Sequence, residues 1–512
     1  MRSFTYQPAL RPALPCVYGP ADYREQRALY EHIDAILTAS GIEQEFIDIA
    51  FSERGIDVAG TRPARIERLA IRSVQALRCN IARKLTGLDH RGFCARLADS
   101  ALLQWFLHLG TVDHVKVFAK STSDRYERWV SAEALKTING KLVALLGSPG
   151  SADHDKPSPA ELLGLAGPVS YDDIYFDSTC LKCDIHFPVD WVLLRDAART
   201  LMKVTVLIRR HGLKNRMPRE PLAFLSEMNT LCMKMTAAYR MAHDGKKTRK
   251  KVLREMKALE KRIAAHAVAH LEALRNRWRE TDLSEGQAKQ VIGRMENVLE
   301  KLPAAIKQAH ERLIAGRQVA NEEKILSFYD DSVNVIRRGK AGAAVEFGNK
   351  LWLGENRDGL IADYELYQDN PTDSKLVRPA IERLAANPGV SVKQAWGDRG
   401  LASKANSRML DKRGIGDGLC PRDVHVLAER LAGEGGFREG LKRRAGTEAR
   451  IAIFKNVFAG RPMLRKGFTH REIEVGWCVL AHNLWVAGRM AREEHERRAK
   501  LDERGRSEAG AA

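Results

Sequence analysis

The sequence predicts an α/β core that is interrupted by a helical insertion and preceded by an all-α N-terminal domain. Apolar residues recur every three or four positions in two long regions, whereas short apolar runs alternate with polar residues elsewhere. A stretch rich in Pro, Gly and Ser follows the first helical region and indicates a linker. The predicted segments are an N-terminal helical domain (1–146), a linker (147–170), the first part of the core (171–200), a helical insertion (201–321), the second part of the core (322–490) and a charged tail that we expect to be frayed (491–512).

The N-terminal region has the apolar spacing of amphipathic helices, for example in "YREQRALYEHIDAILTASG" and "RIERLAIRSVQALRCNIARKLTG". The turn "TGLDHRG" joins two basic amphipathic segments, an arrangement that is compatible with a helix-turn-helix that reads DNA. A generic helical bundle has the same pattern. Both interpretations therefore remain open for this domain.

Strand patterns mark the core on both sides of the insertion. The apolar and aromatic run "DDIYFDST" predicts a strand that ends at Asp177. The segments "AVEFGNKLWLG" and "LIADYELYQ", joined by the turn "ENRDG", predict a β-hairpin. The run "SVKQAWGD" predicts a strand that ends at Asp398, and a polar Gly-rich stretch, a helix around Glu448 and a last apolar helix follow it.

The charge of the chain indicates the class of partner. Its 512 residues include 84 Lys and Arg against 65 Asp and Glu, which gives a formal net charge of +19. Such an excess favours nucleic acid or an anionic membrane surface. The longest apolar candidate, "GWCVLAHNLWVAG", is shorter than the run of about 18 residues that a membrane span needs, and it contains His482 and Asn483. We therefore expect nucleic acid as the partner and no membrane association.

The N-terminus and the cysteines predict an intracellular, cytoplasmic protein. Prolines interrupt the first residues, "MRSFTYQPALRPALPCVYG", where a signal peptide needs a continuous apolar run. The eight cysteines are scattered, and Cys180 and Cys183 form the only CxxC motif. Without a second pair of ligands, reduced thiols are a better interpretation of this motif than a zinc site.

Three carboxylates could form one site. Asp177 and Asp398 each follow a predicted strand, and the carboxyl ends of neighbouring parallel strands meet at one edge of a sheet. Glu448 lies on one helical stripe with Arg444 and Lys455. Each acid also has a simpler interpretation, namely turn chemistry for the aspartates and a solvated ion pair for Glu448. Together, however, three carboxylates are the donor set that hard divalent cations such as Mg²⁺ prefer, and paired ions of this kind cleave phosphodiesters.

Four blocks in order, "FDSTCLKCDIHFPVDWVLLRDAAR", "RRGKAGAAVEFGNKLWLG", "GDRGL" and "RAGTEARIAIFKN", resemble those of bacterial insertion-sequence DDE transposases, most closely the ISNCY group. The resemblance covers residues 170–490. It implies an RNase H-like catalytic core with a mixed sheet, and an enzyme that cleaves DNA and transfers strands at the ends of its element. It also implies two Mg²⁺ ions, with Mn²⁺ as a substitute. The expected partners are double-stranded DNA, as terminal inverted repeats and as target, and a second copy of the chain bound to that DNA.

The resemblance assigns roles to individual residues. Asp177 matches the first catalytic acid and metal ligand, Asp398 the second and Glu448 the third. Related transposases carry a Y-(2)-R-(3)-E-(6)-K signature around the third acid, whose Arg and Lys correspond here to Arg444 and Lys455.

One position departs from that signature, because Leu441 stands where the tyrosine is expected. The fate of the second DNA strand is therefore open. Lys340 and Arg399 fall within the matching blocks and are further candidates for phosphate contacts. Trp278 in the helical insertion is either a stacking surface for an unpaired base or part of a helical core.

Two other functions share these features. A catalytically inactive, transposase-derived DNA-binding protein would have the same fold and charge. A metal-dependent nuclease without strand transfer would have the same three acids.

Overall fold

A computed structural model of the chain describes residues 4–7, 11, 13–14, 18–109, 115–150, 157–340, 343–433 and 435–509; the side chains of 338–340, 343–344 and 504–509 are outside this description. The chain divides into two compact units. The first comprises Met1–Lys182 and Asn349–Ala512, and the second comprises Cys183–Gly348. The described residues are mostly helical and contain a mixed, open sheet of six strands, so the predicted α/β class is confirmed at this level.

The N-terminal part of the first unit is helical, as the apolar spacing predicts. The α3 helix ends where Gly87 adopts a left-handed conformation, φ +66°, and Asp89 then caps α4 by accepting a hydrogen bond from the backbone N–H of Gly92. The turn "TGLDHRG" thus joins two helices. The helices are α1 (Ala21–Ala39), α2 (Ile42–Glu53), α3 (Pro63–Thr86), α4 (His90–Asp99), α5 (Ala101–Phe106), α6 (Lys120–Glu127), α7 (Ala132–Gly147) and, in the predicted linker, α8 (Pro159–Leu162).

The strands form one sheet in the order β2-β3-β1-β5-β6, with β4 paired to β3. Strands β1, β5 and β6 are parallel, whereas β3 is antiparallel to both β2 and β4. The predicted hairpin is therefore present as β3 and β4. The strands are β1 (Asp173–Lys182), β2 (Asn334–Lys340), β3 (Ala343–Glu355), β4 (Ile361–Tyr367), β5 (Gln394–Gly397) and β6 (Gly416–Leu419).

The first strand is longer than the sequence predicts. It continues to Lys182, so Asp177 lies in the middle of β1 and not at its end. The physical reason is a second apolar run: Cys180 and Leu181 are buried and continue the strand beyond the polar pair of Asp177 and Ser178. By contrast, β5 ends at Gly397, so Asp398 does follow its strand immediately.

The region after β5 is more ordered than a polar Gly-rich stretch would be. It contains two helices and the short strand β6, and Ser403 caps the first of these helices by accepting from the backbone N–H of Asn406. The last helix also extends through the predicted frayed tail to Ala509, where pairs such as Glu494 and Arg498 support it at i,i+4 spacing. The helices are α13 (Val377–Ala385), α14 (Lys404–Lys412), α15 (Val424–Gly433), α16 (Gly435–Ile453), its π-helical continuation (Phe454–Ala459) and α17 (Phe468–Ala509).

The second unit, Cys183–Gly348, has a hydrophobic core of its own that contains Leu201, Met256 and Leu302. Its helices begin at Asp190, 11 residues before the predicted start of the insertion at residue 201. Trp278 packs against this core with its ring partly buried, and the Arg279 guanidinium lies 4.9 Å from the ring centroid. The helices are α9 (Asp190–Arg210), α10 (Pro221–Tyr239), α11 (Gly245–Arg277) and α12 (Glu285–His310).

One core extends through the first unit. Its buried residues come from the N-terminal helices, such as Ile33 and Leu77, from the sheet, such as Phe176 and Trp352, and from α17, such as Trp477. Helix α17 packs against α1, α3 and α7 and also against β4. Within the described ranges, no helix is both long and apolar enough to cross a bilayer.

We expect Gly440 to be essential for the seating of α16 on the sheet. A Cβ atom at this position would overlap the Trp396 ring of β5, whereas a Cβ at Gly436 on the same helix would meet nothing within 4 Å. Gly440→Ala should therefore lower stability by about 1–3 kcal/mol through overpacking. Gly436→Ala should be neutral or raise it by up to about 1 kcal/mol through helix propensity. Chemical denaturation of both variants measures this difference, and equal effects would contradict the packing argument.

Candidate active site

Two of the candidate acids lie side by side on parallel strands. Tyr175 of β1 is the register partner of Trp396 of β5. Continuing that register by two residues places Asp177 beside Asp398. Because side chains alternate along a strand, Asp177 projects from the same face of the sheet as the stacked rings of Tyr175 and Trp396, whose centroids are 6.1 Å apart, and Asp398 follows β5 directly.

Helix α16 lies across this face and carries the third acid. Its Gly440 contacts the Trp396 ring, and the Arg443 guanidinium lies 4.9 Å from the Tyr175 ring centroid. Glu448 follows on the same helix with an exposed side chain. The helix therefore runs from the aromatic pair towards the two aspartates.

The pKa of Asp177 is shifted by the charged groups that surround it. This pKa is raised to about 6, chiefly by burial and then by the negative charge of Asp398; Glu448 also raises it, whereas the Ser178 backbone N–H and the Arg444 guanidinium lower it. The Ser178 N–H donates to Asp177 Oδ1 at 2.7 Å. The structure therefore brings Asp398, Arg444 and Glu448 close enough to Asp177 for their charges to act on it.

The acids do not form a complete ligand cage. Among the described residues, no three His, Cys, Asp or Glu side chains are grouped so that they could hold a metal ion. Asp177 and Asp398 each accept a hydrogen bond from nearby backbone, the latter from the Leu401 N–H at 3.2 Å. The donor chemistry nevertheless fits a hard divalent cation, because a bound cation would offset the repulsion between Asp177 and its two acidic neighbours.

The candidate phosphate-binding residues differ in their accessibility. Lys455 is buried, and its ammonium donates to Thr179 Oγ1 at 3.0 Å, two residues along β1 from Asp177. Arg399 is exposed in the turn after β5, and its carbonyl oxygen accepts from Arg422 Nε. The Lys340 side chain lies outside the described residues. Lys455 thus joins the helix that carries Glu448 to the strand that carries Asp177.

Leu441, at the position of the expected tyrosine, is part of a packed apolar cluster. Its side chain is partly buried against Tyr175, Trp396 and Phe437. The leucine therefore fills space between α16 and the sheet. A tyrosine at this position would have to place its hydroxyl beyond that cluster.

Sequence reasoning missed a buried acid under α16. Glu355, at the end of β3, accepts a hydrogen bond from Thr447 Oγ1 at 2.9 Å, and Arg443 and Arg450 lie 3.7 and 3.9 Å from it. Burial raises the pKa of Glu355, and the negative charge of Asp177 raises it further. In the sequence, Glu355 follows Leu351 and Leu353 at the same alternate spacing, which could have indicated an inward-facing acid, although the strand register shifts between Gly354 and Glu355.

A second missed acid lies near Asp398. Asp373 accepts hydrogen bonds from Ser178 Oγ at 3.1 Å and from Lys350 Nζ at 2.6 Å. A Cβ at Gly400 would lie 3.1 Å from Asp398 Oδ1 and 3.6 Å from Asp373 Oδ2, so both carboxylates border this glycine. No sequence pattern indicated this contact, because Asp373 lies in a short connection before α13.

Comparisons with known proteins give no relative. No protein-family model matches the chain, and no curated protein or solved structure matches it either.

We expect Asp177 to make the metal-free protein less stable as the pH rises. Its pKa is raised in the folded state, so its contribution is fully present below about pH 4 and is lost as the pH rises through about 6. At pH 8, Asp177→Asn should be more stable than the wild type by on the order of 2–3 kcal/mol, and the two should converge near pH 4. Thermal melts in EDTA across this range test the prediction, and a difference that does not depend on pH would contradict it.

We expect the Thr447 hydroxyl to stabilise the buried Glu355 carboxylate. Thr447→Val keeps the shape but removes the donor, so it should cost about 1–3 kcal/mol. Thr447→Ser keeps the hydroxyl and should recover most of that loss. Urea denaturation of the pair separates the hydrogen bond from packing, and equal destabilisation by both would show that the methyl group matters instead.

Proposed function

We propose that this chain is a metal-dependent DNA transposase with an RNase H-like catalytic core. The observation that carries the proposal is the placement of Asp177 and Asp398 on adjacent parallel strands, beneath a helix that carries Glu448. The sheet order gives further support: β4-β3 is antiparallel on one side of β1, and β5-β6 is parallel on the other, as the expected mixed sheet requires.

Asp177 and Asp398, completed by Glu448, are the residues that would hold Mg²⁺ or Mn²⁺. Such ions supply Lewis-acid stabilisation of charge on the attacking and leaving oxygens of a phosphodiester. The protein itself positions these acids and the charged groups around them. Arg444 offsets negative charge beside Asp177, and the hydrogen bond between Lys455 and Thr179 holds the end of α16 against β1. Because the pKa of Asp177 is about 6, this carboxyl is mostly ionised, and so available as a ligand, at neutral pH.

The reaction that we propose has two steps. Hydrolysis at the end of the element breaks the bond between a phosphorus and a 3′-oxygen, and leaves a 3′-hydroxyl. That hydroxyl then attacks a phosphorus of the target DNA, and a new phosphodiester forms as a target 3′-oxygen leaves. The net charge of +19 favours the DNA substrates, and two ends that react together call for two copies of the chain.

One observation favours a second candidate, an inactive DNA-binding protein that derives from a transposase. Within the described residues the acids are not grouped as a ready metal site, and Asp177 and Asp398 are hydrogen-bonded to nearby backbone. Binding of a divalent cation would have to reorient these carboxylates. An activity assay decides between the two candidates.

We expect Asp177→Asn to abolish activity on linear DNA that carries the terminal repeats flanking the chain's own reading frame. With Mg²⁺ or Mn²⁺, cleavage and strand transfer should both fall by roughly two to three orders of magnitude, because one charged ligand is lost. The matched control is Asp172→Asn, which removes a nearby exposed carboxylate that pairs with Lys393. Gel analysis of labelled ends measures cleavage, and a target plasmid reports joining.

The possible outcomes separate the functions. Full activity of Asp177→Asn would refute the metal-ligand assignment. Cleavage without joined products in the wild type would indicate a nuclease, whereas binding with neither product would indicate the inactive protein.

A further inference from the structure

A pocket of about 320 Å³ lies on the other side of α16, between this helix, α17 and the turn that joins β3 to β4. We call it the α16–α17 pocket. Its volume is at the lower end of the range for small-molecule sites, which is about 300–1,000 Å³. Three arginines line it, one from each element: Arg357, Arg450 and Arg489. The candidate catalytic acids are not part of its wall.

The turn between β3 and β4 fixes the position of the Arg450 guanidinium. Gly359 there has φ +98°, and a Cβ atom at this position would overlap Arg450 Nη1. Arg450 Nη2 donates to the Arg357 carbonyl oxygen at 3.2 Å. A residue other than glycine at position 359 would therefore both strain the turn and displace the guanidinium.

Two buried nitrogens in this pocket have no hydrogen-bond partner among the residues that the structure describes. They are Arg450 Nη1 and Nδ1 of His482, a side chain that is only 3% exposed. Buried polar atoms are nearly always satisfied, so two orphaned atoms on residues of one wall are unusual. Burial lowers the pKa of His482 to about 4, so the ring is neutral at neutral pH. Because Arg450 Nη1 is itself inaccessible, a bound anion would interact with this guanidinium through its charge.

The acids in the wall do not neutralise all three arginines. Glu493 lies 3.7 Å from Arg489, and Asp358 accepts from Asn356 Nδ2 at 3.2 Å. The charges of the buried Glu355, 3.9 Å away and outside the pocket wall, and of Asp358 act on Arg450, so the wall itself holds three arginines and two acids. The cavity thus keeps an excess of positive charge.

The rest of the wall is aromatic and apolar. Trp485 contributes its ring, beside which the Arg489 guanidinium lies 4.9 Å from the centroid, and Ile453 and Met490 add apolar surface. Guanidinium groups bind phosphates, and indole rings stack on nucleobases. Both chemistries occur together here.

We propose that the α16–α17 pocket binds one nucleotide unit, with its phosphate among the arginines and its base against Trp485. The identification of that nucleotide as an unpaired residue of a DNA strand rests on the proposed function; the anion site itself does not. Arg450 is two residues from Glu448, so a strand bound here would be held by the helix that carries the third acid. A free mononucleotide has the same chemistry and is distinguished experimentally.

Arg489→Ala tests the pocket with little risk to folding, because this side chain is about half exposed. The matched control is Arg497→Ala, which removes a similarly exposed arginine from α17 outside the pocket; Arg497 also pairs with a glutamate, Glu494. Fluorescence anisotropy is measured in EDTA, so that cleavage does not contribute. The probes are a labelled 20-base-pair duplex with one unpaired 5′-phosphorylated nucleotide and the same duplex with blunt ends.

The wild type should bind the duplex with the unpaired nucleotide more tightly than the blunt one. Arg489→Ala should weaken that binding roughly tenfold while changing binding to the blunt duplex by less than about twofold. Arg497→Ala should affect both duplexes equally, through general electrostatics alone. Trp485→Leu should reproduce the selective loss.

Competition separates the two sources of the nucleotide. If dTMP displaces the duplex with the unpaired nucleotide but inorganic phosphate does not, the pocket accepts free nucleotides as well. If neither competes and the selective loss persists, the ligand is a DNA strand. Equal effects of Arg489→Ala and Arg497→Ala, or no preference for the unpaired nucleotide, would overturn the proposal. This binding measurement does not depend on the activity test of Asp177→Asn. The nucleotide pocket and the transposase function can therefore each be refuted without the other.

Discussion

The seating of α16 on the sheet is the constraint on which the candidate site depends. Gly440 lets the helix approach Trp396 closely. The buried hydrogen bond from Thr447 to Glu355 fixes the rotation of the helix about its own axis. Further along, Lys455 fastens the end of the helix to Thr179 of β1. Three contacts, spaced about two turns apart, leave the helix little freedom to slide. Glu448 consequently has a defined position relative to Asp177, although these residues are far apart in the sequence.

The same arrangement places several carboxylates close enough to repel one another. Asp177 is buried near two other acids, and Glu355 is buried near Asp177, so the pKa of each carboxyl is raised. Arg443, Arg444 and Arg450 offset this only in part. Structural ion pairs normally minimise such repulsion, whereas functional sites retain it because the ligand removes it. The buried acids therefore lower the stability of the folded protein, and the packing of α16 against the sheet offsets that loss.

The sequence predicts the elements with long, regular patterns. The N-terminal helices, the hairpin of β3 and β4, and the strand before Asp398 follow from apolar period alone. The length of β1 was not predicted, because the polar pair of Asp177 and Ser178 resembled a turn. The elements α14, β6 and α15 were not predicted either, because they are short and lie in a stretch rich in Gly and polar residues; Leu427 and Leu431, at i,i+4 spacing, pack on one apolar cluster and could have indicated α15. Glu355 and Asp373 were missed as neighbours of the site because long-range pairing, which a single sequence does not display, brings them there. The pairing of Asp177 with Asp398 was expected from the strand pattern, and the resemblance supported it.

The core that joins the N-terminal helices to the sheet has a consequence for how this protein can be dissected. Ile33 and Leu77 share one apolar interior with Trp352 and with Trp477 of α17. An N-terminal fragment cut at the linker would leave that interior open on both sides. Truncation is therefore an unsuitable way to isolate the N-terminal helices from this chain. Any division of labour between its helices and its sheet has to be mapped by substitutions within the intact protein.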